Sequence, residues 1–135
     1  MKSFFDASVL VPLLNKSSLH HAEATKHWLS CDQRATSCHA LAECYRTLTT
    51  LKYPLRPEDA RAALVELETK VELVNGMPEV YDEAIRRMAT KGHAGAMVYD
   101  ALHCVAAAKC QANKIITRNK AHFDLFADGI PVEAL

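Results

Sequence analysis

The sequence is poor in glycine, and its four glycines are scattered along the chain. No glycine-rich loop is present that could hold a nucleotide phosphate. The five cysteines include no C-x-x-C pair, and the seven histidines include no H-E-x-x-H motif, so the common zinc spacings are missing. An odd number of cysteines also argues against a complete disulfide framework and fits a reducing cytoplasm.

Long apolar runs are missing as well. No stretch approaches the ~20 apolar residues of a membrane-spanning helix. Asp6 interrupts the short apolar run at the N-terminus, which argues against a signal peptide. We therefore expect a cytoplasmic protein without membrane contact. The single tryptophan and the four tyrosines form no interleaved basic and aromatic stripe for stacking RNA bases.

Net charge is absent too, because 16 basic residues balance 16 acidic ones. The charges are nevertheless unevenly distributed. Residues 58–83 contain eight acidic and two basic residues, whereas residues 84–122 contain seven basic residues and one acid, Asp100. The basic segment is a candidate surface for phosphate groups. An ordinary mixture of solvated faces is the alternative interpretation.

Length and hydrophobic content predict one domain over residues 1–135. Apolar periodicity and breaker residues predict helices at 7–14, 19–29, 38–51, 57–70, 78–90, 97–111 and 121–126. Short apolar runs predict strands at 3–5, 35–37, 71–74, 115–116 and 131–133. Strands that alternate with helices indicate an α/β fold, with a mainly parallel sheet flanked by helices on both faces.

Three acids stand out as candidate metal ligands. Asp6 follows the first strand, where parallel sheets bind ligands, although a helix N-cap is an equally good interpretation. Glu43 lies in helix 38–51 among polar neighbours, a pattern that also fits a solvated face. Asp100 lies in an apolar helix, where a charge is costly unless it is capped, paired or bound to a metal. His103 lies three residues beyond Asp100 and is interpreted as a buried structural histidine.

Four short motifs occur in order along the chain. They are Phe-Asp-Ala-Ser-Val-Leu at 5–10, Leu-Ala-Glu at 41–43, Tyr-Asp-Ala-Leu-His at 99–103 and Thr-Arg-Asn-Lys-Ala-His-Phe at 117–123. With these motifs the chain resembles PIN-domain proteins, especially VapC-type toxins, over nearly its full length. The resemblance implies a three-layer α/β/α fold and cleavage of RNA phosphodiester bonds that leaves a 5′-phosphate.

The resemblance also implies the site. It makes Asp6, Glu43 and Asp100 the catalytic acids, which would bind Mg²⁺ or Mn²⁺ in one cleft. It implies a homodimer that is inhibited by a cognate antitoxin protein. The further candidates are residues that line the site (Ser8, Thr117, Asn119) and residues that contact the RNA substrate (Arg118, Lys120).

The chain departs from the family at one position. A fourth acid is common in the last motif, where this sequence has Asn119 and His122, and Asp124 is out of register. The departure puts a second metal ion in doubt. It also leaves open an alternative function, a weakened PIN fold that binds RNA or a protein without cleavage. A haloacid-dehalogenase-like domain is disfavoured, because that family has an aspartate where this chain has Ser8.

Overall fold

The computed structural model describes residues 1–135 as five strands and seven helices. The strands are β1 (Lys2–Phe5), β2 (Gln33–Ser37), β3 (Glu72–Val74), β4 (Lys114–Thr117) and β5 (Val132–Ala134). The helices are α1 (Ala7–Leu14), α2 (His21–Leu29), α3 (Cys38–Leu48), α4 (Pro57–Glu68), α5 (Pro78–Thr90), α6 (Met97–Lys109) and α7 (Lys120–Phe126). No helix combines the length and the apolar character that crossing a membrane requires.

All five strands are parallel and form one sheet in the order β3-β2-β1-β4-β5. Strand β1 is central, and Phe4 lies opposite Ala35 of β2 and Ile115 of β4. Because parallel strands need a crossover connection, helices separate the strands in the chain. The predicted α/β fold with a parallel sheet is confirmed.

Two apolar cores cover the two faces of the sheet. Successive strand residues point to opposite faces, so Phe4 and Ile115 pack against α5, α6 and α7. Phe5 and Ile116 pack against helices α1 to α4. Helix α6 is buried from Ala101 to Ala107, as its apolar composition predicts. The molecule therefore has three layers, with the carboxyl ends of β1 and β4 held between the two helical layers.

Four helices are shorter than the sequence predicts, and one of them, α4, ends at Glu68 rather than at residue 70. Helix α2 begins at His21 rather than at residue 19, because Ser18 forms a turn and accepts a hydrogen bond from the His20 backbone N–H at 3.1 Å. Helix α3 ends at Leu48 because Thr49 and Thr50 donate their hydroxyl hydrogen bonds back to carbonyls of the last turn. Helix α6 ends at Lys109, and Gln111 beyond it has a positive φ of 59°.

Candidate active site

Asp6 and Thr117 lie side by side at the carboxyl edge of the sheet. They directly follow the paired residues Phe5 and Ile116 of the neighbouring strands β1 and β4. Asp6 occupies the N-cap position of α1, as the sequence allowed, but its side chain makes no capping hydrogen bond. Its carboxylate instead accepts a hydrogen bond of 2.7 Å from the Ser8 hydroxyl.

Ser8 connects this carboxylate to the loop after β4. Its Oγ lies 3.3 Å from the Thr117 hydroxyl and accepts a hydrogen bond of 2.9 Å from the Arg118 backbone N–H. The Thr117 hydroxyl in turn accepts one from the Asn119 N–H at 3.0 Å. The structure thus brings Ser8, Thr117 and Asn119 together around Asp6.

Glu43 is held by a buried histidine. Its carboxylate lies 2.6 Å from Nε2 of His103, a side chain of α6 that is 1% exposed. On the other side of the ring, Nδ1 lies 2.9 Å from Oγ of Ser37, and that oxygen accepts the Ala40 N–H at 3.1 Å. Glu43 therefore does not lie on a freely solvated face.

The chain of hydrogen bonds runs through the His103 ring. Nε2 donates to the Glu43 carboxylate, and Nδ1 on the opposite side of the ring contacts the Ser37 hydroxyl. His103 is buried, as the sequence suggested, but it also orients a candidate catalytic carboxylate. Ser37 was missed, because its contact with His103 spans 66 residues and has no local signature.

Asp100 is paired with Asn119 and His122, the two positions at which the resemblance would place a fourth acid. Its Oδ2 accepts a hydrogen bond of 3.0 Å from the Asn119 amide and lies 3.0 Å from Nδ1 of His122. Asp100 lies in the first turn of α6, whose N-cap is Ala96, so it does not cap the helix. Neutral or cationic partners thus surround Asp100 where a further carboxylate would have repelled it.

The three acids line one cleft of about 320 Å³. Its rim includes two arginines, Arg46 and Arg118. Arg46 lies one turn beyond Glu43 in α3, and this i, i+3 spacing is the sequence signal that could have indicated it. A cleft with several carboxylates and two arginines can bind a cation together with an anionic group.

The other basic residues of segment 84–122 are engaged elsewhere. Lys91 donates to the Leu125 carbonyl, and Lys120 forms an ion pair of 2.8 Å with Asp124. Neither side chain lines the cleft. The remaining ion pairs are Arg86 and Arg87 with Glu83, Arg87 with Asp128, Lys109 with Glu79, and Lys114 with Glu133. Of this basic set, only Arg118 lies at the cleft.

Burial controls the ionisation of the acids. Burial raises the pKa of Asp6 to about 6, and the Ser8 hydrogen bond only partly opposes it. Burial also raises the pKa of Asp100, against the effect of His122. Burial would raise the pKa of Glu43 too, but the hydrogen bond from His103 and the charge interactions with His103 and His39 together outweigh it, and the pKa is lowered. A cation in the cleft would favour the charged form of all three acids.

The donor set suits an open Mg²⁺ or Mn²⁺ site rather than a closed site made of protein ligands alone. No three His, Cys, Asp or Glu side chains are placed so that they could hold an ion by themselves. Hard divalent cations take oxygen ligands, and Mg²⁺ usually uses one or two carboxylates together with water and substrate phosphate. Asp6, Glu43 and Asp100 offer such oxygen atoms on an open cleft.

The family model of the PIN domain matches residues 3–128. This chain belongs to the PIN-domain family. Ribonuclease VapC27 of Mycobacterium tuberculosis is 35% identical to this PIN domain over 124 residues, which are 90% of the present chain and 87% of the relative.

Solved structures share the fold. The crystal structure of Mycobacterium tuberculosis VapC20, a Sarcin-Ricin loop cleaving toxin, matches with a TM-score of 0.75 and 21% identity, over 95% of each chain. VapBC2 of Rickettsia felis, bound to a DNA fragment from its promoter, matches with a TM-score of 0.72 and 18% identity, over 100% of this chain and 99% of that one.

We expect Asp6→Asn to stabilise the metal-free protein at neutral pH. Asparagine keeps an acceptor for Ser8 but has no charge to bury. Because burial raises the pKa of Asp6 to about 6, the fold favours the protonated side chain. The stabilising contribution of protonated Asp6 is complete below about pH 4 and is lost as the pH rises through 6. The free energy of unfolding of the variant should therefore rise relative to that of the wild type across this window, by up to about 3 kcal/mol at pH 7. Urea unfolding at pH 4 and pH 7, without metal, measures the gain.

Asp32→Asn is the matched control. The N-terminal ammonium lowers the pKa of Asp32 through a hydrogen bond, so this exposed carboxylate stabilises the fold above its unfolded pKa, and the control variant should change in the opposite direction. A gain for Asp6→Asn that is equal at the two pH values would contradict the assigned burial effect.

Proposed function

We propose that residues 1–135 form one nuclease domain, a metal-dependent endoribonuclease that is the toxin component of a toxin–antitoxin pair. The observation that carries the proposal is the single cleft that three carboxylates line, each with its own hydrogen-bond partner. The 35% identity to a ribonuclease over most of the chain supports it. The five free cysteines fit a cytoplasmic site of action.

Asp6, Glu43 and Asp100 are the groups that would hold Mg²⁺ or Mn²⁺. Such an ion, when bound, supplies activation of water and stabilisation of charge on the phosphodiester. The protein's own contribution is orientation. Ser8 fixes the Asp6 carboxylate, and His103 fixes that of Glu43. At the rim, Arg118 can contact a phosphate of the substrate.

We expect Asp6→Asn and Asp100→Asn to lower the rate of cleavage of single-stranded RNA by more than about 100-fold. Loss of a metal ligand should reduce activity more than loss of an outer-shell partner does. Asp124→Asn is the matched control, because this exposed acid pairs with Lys120 outside the cleft. Cleavage is measured with labelled RNA in Mg²⁺ or Mn²⁺, and with a chelator. Full activity in either variant would refute the site.

The same assay distinguishes the alternative function. The replacement of the fourth acid by Asn119 and His122 favours a weakened site, which would bind RNA without cutting it. Binding of RNA by the wild type with no metal-dependent cleavage would support that alternative.

His103 gives a sharper test of orientation. The glutamine amide nitrogen can replace Nε2 and donate to Glu43, whereas asparagine reaches only the position of Nδ1, near Ser37. We therefore expect His103→Asn to lower Mn²⁺ affinity by about tenfold or more, and His103→Gln to retain most of it. Calorimetric titration with Mn²⁺ measures both. Equal losses in the two variants would assign His103 a packing role only.

We also propose a homodimer that is bound by an antitoxin. An anionic cleft suits a guanidinium group from a partner protein, because its geometry matches carboxylates. Structural neighbours that were solved as VapBC complexes support the partner class. The homodimer follows from the family resemblance, and sedimentation of the isolated chain at micromolar concentration tests it.

We expect Glu43→Lys to weaken capture of the proposed antitoxin, because the new cation would repel an inserted arginine. Asp124→Lys reverses a charge outside the cleft and should leave capture unchanged. Co-purification of the two chains provides the measurement. Equal capture by the wild type and both variants would mean that inhibition does not work through the acidic cleft.

A further inference from the structure

An aromatic pair lies beside the cleft and is not explained by the proposed chemistry. The rings of His39 in α3 and Tyr99 in α6 are stacked, with centroids 5.0 Å apart and planes within 8°. Tyr99 is nevertheless 47% exposed. Tyr99 immediately precedes Asp100, and His39 lies one helical turn before Glu43, so each ring is fixed to a helix that also carries a candidate catalytic acid.

The pair lines a second hollow of about 450 Å³. This hollow and the catalytic cleft have two lining residues in common, Glu43 and Arg46. None of the ion pairs of the structure involves Arg46. A polynucleotide that places one phosphate in the cleft can therefore place an adjoining nucleotide in this hollow, and no ion pair of Arg46 has to be broken.

The chemistry of the hollow selects its occupant. Two stacked rings and an unpaired guanidinium suit a planar aromatic group attached to an anion, which describes a nucleotide. Proteins that recognise single-stranded RNA stack unpaired bases on aromatic side chains. The stacking contact itself accepts every base. A base within a duplex is covered on both faces by its neighbours and is not available.

We propose that His39 and Tyr99 form a base-stacking platform for one unpaired RNA base next to the cleaved bond, with Arg46 on the adjoining phosphate. The proposal rests on the proposed ribonuclease function and adds to it the residues that bind the base beside the cleaved bond. No basic and aromatic stripe in the sequence indicated this platform, because its two rings come from helices 60 residues apart in the chain.

The test measures binding without cleavage. In the Asp6→Asn background, with Mg²⁺ present, fluorescence anisotropy gives the affinity for a short labelled single-stranded RNA of mixed sequence and for its duplex. We expect Tyr99→Leu to lower single-strand affinity by about tenfold, the size of one lost stacking contact, and to leave duplex affinity unchanged. Tyr99→Phe should keep single-strand affinity, because it keeps the ring.

Tyr53→Leu is the matched control. Tyr53 is 80% exposed and lies beside Lys52, but it lines neither the cleft nor the hollow. Its removal should leave both affinities unchanged. Thermal unfolding of all variants separates a loss of binding from a loss of folding, and His39→Leu tests the platform from the other helix.

Several outcomes would overturn the platform. Wild-type affinity in Tyr99→Leu, an equal loss in Tyr99→Phe, or an equal loss for duplex RNA would each do so. Weaker antitoxin binding by Tyr99→Leu with unchanged RNA affinity would assign the surface to a protein partner instead. If the chain with native Asp6 neither binds nor cleaves RNA, the ribonuclease function fails. If it does both and Tyr99→Leu matches it, only the platform fails.

Discussion

The buried carboxylate of Asp6 is the constraint on which the site depends. A charge at the end of a central strand is unfavourable unless its surroundings compensate for it. The chain supplies part of that compensation through Ser8, which also fixes the loop that carries Thr117 and Asn119. The raised pKa of Asp6 indicates that the compensation is incomplete. A cation that enters the cleft would offset the remaining unfavourable free energy of the buried charge.

The other two acids are positioned by different means. Glu43 depends on a hydrogen-bond chain through the core to Ser37, whereas Asp100 depends on the polar side chains of the loop and helix after β4. Glu43 therefore has a support of its own, whereas Asp6 and Asp100 share the loop after β4 through Ser8 and Asn119. The role of Glu43 can thus be measured separately from that of the other two acids.

Sequence reasoning was most successful where the signal is local. Strand and helix order, the parallel sheet and the place of Asp6 all follow from short apolar runs and the breakers between them. The sequence prediction misplaced the start of α2 and the end of α3, because side-chain hydrogen bonds of Ser18 and Thr49 terminate the helices there. Contacts between distant helices, such as His103 with Glu43 or His39 with Tyr99, depend on packing and leave no periodic trace.

The separation of Ser8 and Thr117 by 109 residues has a consequence for biosynthesis. Strand β1 is synthesised more than 100 residues before β4, the neighbour that completes its carboxyl edge. Until β4 pairs with β1, Asp6 lacks the loop that encloses it, and Asp100 lacks Asn119 and His122. A nascent chain therefore has no assembled site until the loop after β4 has been made.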